Sequence, residues 1–158
     1  MDLMEWLLEK RPGVVTRLDD RIRIAHERGG NSSLWLNKGV AGPICNGELE
    51  EFYRLYDGAD LFGSTFKIAS IEESKRIGNV NITFALGKIQ AECDGLGVSF
   101  PSDTFPFMYQ AGIAFYAASN TSDLIHSWDT ETGCRESYGS LFAIIQEWID
   151  AMDETNEP

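Results

Sequence analysis

Basic residues nearly vanish from the second half of this chain. Residues 1–88 hold 13 acids and 12 bases, whereas residues 89–158 hold 12 acids and a single base, Arg135, so almost the whole net charge of −12 falls in the back half. A surface this one-sided repels nucleic acid and anionic membrane and attracts basic partners, unless it serves merely to keep the protein soluble. Cysteine is scarce as well. Cys45, Cys93 and Cys134 are odd in number and widely scattered, which argues against a disulfide framework and for reduced thiols in a reducing compartment. The longest apolar run, Ala111 to Ala118, spans eight residues and includes a glycine. A bilayer needs about 20. The start, Met1-Asp2-Leu3-Met4-Glu5, is acidic where a secretory leader would be basic, so the expectation is a cytoplasmic protein. Without an export signal, the Asn-x-Ser/Thr triplets at Asn31, Asn81 and Asn120 carry no weight.

Motifs for chemistry are missing too. His26 and His126 are the two histidines, and neither Cys-x-x-Cys nor His-x-x-x-His spacing occurs, so no metal site is expected. There is no Gly-x-Ser-x-Gly elbow for a nucleophile. His126, Ser127 and Asp129 are close in sequence, but alternation along a strand turns His126 and Ser127 to opposite faces. Gly95-Leu96-Gly97 lacks the third glycine of a dinucleotide loop and the Lys-Ser/Thr of a phosphate loop, and reads as a turn. The paired acids Asp19-Asp20 and Glu72-Glu73 lie in polar stretches, where nothing would raise a carboxylate pKa for acid–base work. No catalytic residue and no cofactor is expected, and the chain reads as a non-enzyme.

What is present is a pattern of elements. Asp2-x-x-Glu5 forms a capping box ahead of the apolar stripe Leu3, Met4, Leu7 and Leu8, and Pro12-Gly13 ends that helix. Val15, Leu18, Ile22 and Ala25 then recur at helical spacing, with Arg17, Arg21 and Arg28 on the other side, which predicts a second helix. Gly29 to Pro43 predicts a loop holding a short strand or plug around Leu34-Trp35-Leu36. An aromatic-rich helix follows, capped by Asn46, with Leu49, Phe52, Tyr53 and Tyr56 on one face, and stopped by Asp57-Gly58. Gly63 releases the chain into Thr65-Phe66-Lys67-Ile68, and Ser70 to Arg76 predicts a short helix.

Val80, Ile82 and Phe84 alternate as in a strand, while Ala91 to Phe107 is punctuated like a loop. Ile113 to Ala117 reads as a buried strand, and Leu124 to Trp128 with Cys134 to Ser137 as a hairpin. Leu141, Ile144, Ile145, Trp148, Ile149 and Met152 keep an unbroken helical register. The sum is one α+β domain: a mainly antiparallel sheet carrying helices to one side, with helices at both chain ends.

The order of these landmarks resembles the SUKH superfamily, the bacterial relatives of the Smi/Knr-type yeast cell-wall regulators. The likeness starts at Pro43 and runs through Glu48-Leu49-Glu50-Glu51-Phe52-Tyr53, Asp57-Gly58 and Phe66-Lys67-Ile68. It continues through Ile113-Ala114-Phe115-Tyr116-Ala117, Ile125-His126-Ser127-Trp128-Asp129 and Glu131-Thr132-Gly133 to Ser140-Leu141-Phe142. It departs at Asp57, where Asn is more usual, at Val14 to Gly42, and at Cys93 to Phe107, which looks like an insertion. The resemblance implies a SUKH-like core over residues 43–153, with 1–42 as a helical or loop extension of the same domain and 154–158 as a frayed tail.

It also implies a protein-binding role, that of an immunity protein neutralising a bacterial toxin, often a nuclease, or of a regulatory adaptor. An unrecognised hydrolase is the remaining alternative. On the first reading the partner is a basic protein, a toxin domain, met by Asp123, Asp129, Glu131 and Glu136 around the hairpin. Trp128 is then either an aromatic anchor for that partner or part of the core.

Overall fold

The computed structural model describes residues 1–43, 47–71, 82–111, 114–129 and 132–155, without the side chains of Phe84, Ala114, Cys134 and Arg135. The Asn46 cap, the helix expected to run through Arg76, Val80, Ile113 and Glu131 lie outside them. The described chain begins with α1 (Leu3–Lys10), β1 (Gly13–Arg17), β2 (Arg21–His26), β3 (Asn31–Leu36), α2 (Gly47–Leu55), β4 (Tyr56–Leu61) and β5 (Phe66–Ile68). After α3 (Ile82–Leu96) come β6 (Thr104–Gln110), β7 (Ala114–Ser119), β8 (Ile125–Asp129), β9 (Gly133–Tyr138) and α4 (Leu141–Glu154).

The nine strands form one sheet in sequence order, and every neighbouring pair is antiparallel. Chain order is therefore spatial order across the sheet, with β1 at one edge and β9 at the other. No helix among the described residues is long and apolar enough to cross a membrane.

The helix predicted over Val15 to Ala25 is instead the β1–β2 hairpin. A helix would bury Val15, Leu18, Ile22 and Ala25 together, but of these only Ile22 is buried. Ile22 and Ile24 point into the core while Arg23 and Ala25 stay exposed, the period of two that a strand imposes. Leu18-Asp19-Asp20 turns the chain, with the Leu18 N–H donating to the Arg21 carbonyl. Residues 1–42 are thus a helix and three strands continuing the sheet, rather than a helical or loop extension.

A second correction falls in the middle of the chain. The strand expected over Val80 to Phe84 gives way from Ile82 onward to α3, which also takes up the first part of the expected loop. Ala85, Leu86, Lys88, Gln90, Ala91 and Glu92 are strong helix formers and outweigh the β-branched pair Ile82-Thr83. Gly97, at φ +72°, closes the helix: its N–H donates to the Asp94 carbonyl and that of Val98 to the Cys93 carbonyl.

The three other helices pack on one face of the sheet. Trp6 of α1 stacks on Phe142 of α4 at 5.0 Å, and Trp148 of α4 lies 4.9 Å from the ring of Phe62 beside β4. Tyr53 of α2 donates its hydroxyl to the Ala69 carbonyl just past β5, at 3.0 Å. This face holds the main core, including Leu7, Ile24, Leu34, Leu61, Phe66, Ile68 and Ile145. Asp57 and Gly58, expected as a helix stop, lie within β4, where the buried Asp57 carboxylate accepts from the Ile71 N–H at 2.6 Å. α3 covers the opposite face, over Lys67, Tyr109 and Phe115, so the helices are not confined to one side.

Candidate acidic docking surface

The β8–β9 hairpin and α4 carry most of the described carboxylates of the acidic half. The hairpin closes as its sequence suggests: the Asp129 carboxylate accepts from the Thr132 N–H at 3.0 Å, an Asx-type bond that fixes the turn. Just before it the ladder slips between Ser127 and Trp128, with the extra residue on β9, while the alternation along β8 is unbroken and turns Trp128 to the same face as Phe115. The indole packs edge-on against Phe100 at 5.0 Å, on the α3 side of the sheet, and is 8% exposed. Of the two readings of Trp128, the structure places it in the interior.

The remaining hairpin acids do not converge. Asp123 is exposed at the far end of β8, beside the shallow hollow where α2 and α4 begin. At about 3.4 Å per residue it stands roughly 20 Å along the chain from Asp129. Glu131 is outside the described residues.

Glu136 sits between these ends, on the helix-bearing face. It accepts from the Tyr138 hydroxyl at 2.6 Å, while its own N–H donates to Ser127 Oγ at 3.1 Å. The Tyr138 ring meets Tyr116 edge-on at 5.9 Å. Burial chiefly pushes the Tyr116 phenol up to about 12, and the charges of Glu147 and Glu136 push the same way. The Tyr138 phenol is raised too, by burial first, then by its bond to Glu136 and the charge of Glu147. Two phenols thus feel Glu136 of β9 and Glu147 of α4 together.

That shared field locates a surface the sequence reading missed. Glu147, Asp150 and Glu154 recur at three- and four-residue spacing on the exposed side of α4, opposite Ile144, Ile145 and Ile149. Gln146 donates to Asp150 at 2.7 Å. Asp153, further round the helix, is bridged at 2.7 Å by Arg11, whose guanidinium also reaches the Ile149 carbonyl. The signal was in the sequence, since the register that marks the buried stripe also marks its complement.

Groups that could do chemistry are placed differently. Among the described residues no three His, Cys, Asp or Glu side chains converge as metal ligands. Two serine–histidine pairs lie at 2.9 Å, His26 with Ser32 and His126 with Ser137. Ser32 is buried, and its hydroxyl also accepts from the Phe62 N–H at 3.1 Å. His126 and Ser137 face each other across β8 and β9 on the open sheet surface, and neither lines a described cavity. A cleft of about 260 Å³ lies between α3 and the sheet, lined mainly by apolar groups with Lys67, Lys88 and Glu92 among them.

Comparison with family models, with curated proteins and with solved structures finds no match to this chain.

Proposed function

We propose that this chain is a non-enzymatic protein-binding domain of the SUKH type, an immunity protein that neutralises a basic toxin domain. The observation that carries the reading is the acidic surface formed by Glu136 on β9 with Glu147 and Asp150 on α4, in a half of the chain that holds one base. A nuclease toxin needs a positive cleft to hold phosphates. An array of carboxylates on a rigid helix and strand can occupy that cleft in place of the nucleic acid and speed the encounter by electrostatic steering. On this reading the protein works in the cytoplasm of the cell that makes the toxin.

The test is a titration against the toxin domain encoded beside this chain, followed as a function of salt. Binding should be tight at low salt and weaken as salt rises. Glu147→Lys combined with Asp150→Lys should weaken it by at least about tenfold, mainly through the association rate. No binding at low salt to a neighbouring toxin domain would remove the proposal. Binding indifferent to both salt and the double reversal would move the interface away from α4.

A further inference from the structure

β1 is an edge strand with nothing on its outer side among the described residues. Its ladder to β2 shows which backbone groups are spare. Leu18 and Arg21 form a hydrogen-bonded pair, as do Pro12 and Glu27, and the register between them has no slip. In an antiparallel ladder bonded pairs alternate, so Val14 and Thr16 bond inward to β2. Gly13, Val15 and Arg17 then direct their N–H and C=O groups away from the sheet. The side chains of this edge are equally uncovered: Val14 is 72% exposed, Val15 37% and neighbouring Leu18 40%.

We propose that this edge is the interface of a two-fold symmetric dimer, in which β1 pairs antiparallel with β1 of a second copy in a register centred on Val15. That register is self-complementary in three respects. First, the outward-bonding residues meet each other: Val15 faces Val15, and Gly13 faces Arg17 of the second copy, so all three spare N–H and C=O groups of each strand find partners. Second, the β-branched side chains pair across the seam, Val15 with Val15 on the helix face and Val14 with Thr16 on the other. Third, Arg17 stands opposite a glycine rather than its own copy, which leaves room for it and avoids a like-charge pair.

Electrostatics single out this edge over the other. A chain of net charge −12 repels its own copies over most of its surface. Residues 11–28, however, hold five arginines against three acids. The β9 edge has no such basic excess: β9 holds one base and one acid, Arg135 and Glu136, and lies beside α4 with its exposed Glu147. The dimer would join the two sheets into one and leave both β9 edges at its outer ends.

Sedimentation equilibrium over a hundredfold dilution series tests this. The native chain should show a reversible monomer–dimer equilibrium with no larger species. Val15→Pro deletes an outward N–H that the chain's own ladder does not use, and should give a monomer with an unchanged far-ultraviolet circular dichroism spectrum. Val15→Lys and Val15→Glu set like charges face to face across the two-fold axis, and each alone should be monomeric while an equimolar mixture dimerises. A native chain monomeric at every concentration would overturn the proposal, as would folded Val15 variants that still dimerise or a mixture that stays monomeric. A mass that climbs steadily past the dimer would overturn it in favour of head-to-tail pairing of β1 with β9.

Discussion

His26 has both ring nitrogens engaged, and the partners dictate its protonation. The Arg11 carbonyl, 2.7 Å from Nδ1, can only accept, so Nδ1 carries the hydrogen. Nε2 is left to accept from Ser32 Oγ, which in turn accepts from the Phe62 N–H. A second proton would have to displace the Ser32 hydroxyl hydrogen. Burial holds His26 below its ordinary 6.5, the carbonyl bond opposes this, and the charge of Arg11 adds to the lowering. An unfolded chain takes up the proton near pH 6.5, while the folded chain resists until lower pH. The unfolded state therefore binds more protons in that window, and stability must fall as pH drops below about 6.5. Urea midpoints measured from pH 8 to pH 5 should decline through that window, and the decline should shrink in His26→Asn.

Glu48 offers a second residue-scale test. Its carboxylate, from the first turn of α2, accepts from Ser140 Oγ and from the Leu141 N–H at the start of α4. A helix start left without such an acceptor costs about 0.5–2 kcal/mol. Glu48→Ala should lower stability by about that amount, and Glu48→Gln, which keeps an acceptor but no charge, by less.

At the scale of elements, α4 spans the sheet face: its N-terminus meets Glu48 of α2, Trp148 reaches the β4–β5 turn, and Asp153 bridges to Arg11 beside β1. Ile145 at its centre is fully buried. Ile145→Ala should destabilise the fold by about 2–5 kcal/mol in a denaturant titration, because so central a site has little freedom to close around the cavity. α4 was legible from its amphipathic register alone, and α1 from its capping box, because each buries one stripe of a regular helix. β1 was not. As an edge strand it has no buried face, so Val14 and Val15 show no alternation, and the spaced apolar residues of 15–25 imitate a helix. α3 failed in the opposite sense, since two β-branched residues at its start resemble a strand until the helix formers behind them are weighed. The candidate site was half legible. Glu136 is legible in the hairpin, but its neighbours Glu147 and Asp150 come from an element joined to it only by the fold, and Trp128 packs against Phe100, a loop residue that no local periodicity pairs with it.

For the whole molecule, the sequential meander converts the charge asymmetry along the chain into one across the sheet, arginine-rich in the β1–β2 hairpin and acidic on the exposed side of α4. Glu147, Asp150 and Glu154 repeat at the spacing where like charges repel along a helix, at about 0.2–0.5 kcal/mol per pair. A surface held against its own repulsion is a cost that folding for stability alone would not maintain, and it should show in the response to salt. Screening shortens from about 10 Å at 0.1 M ionic strength to about 3 Å at 1 M. Raising sodium chloride should therefore raise the melting temperature, while the same salt should weaken binding to the proposed basic partner. In the Glu147→Lys, Asp150→Lys double variant the melting temperature at low salt should rise and its salt dependence flatten, even as binding is lost. Stability and binding moving in opposite directions under one substitution would mark those carboxylates as kept for a partner. A double variant that melts lower at low salt would show instead that they support the fold.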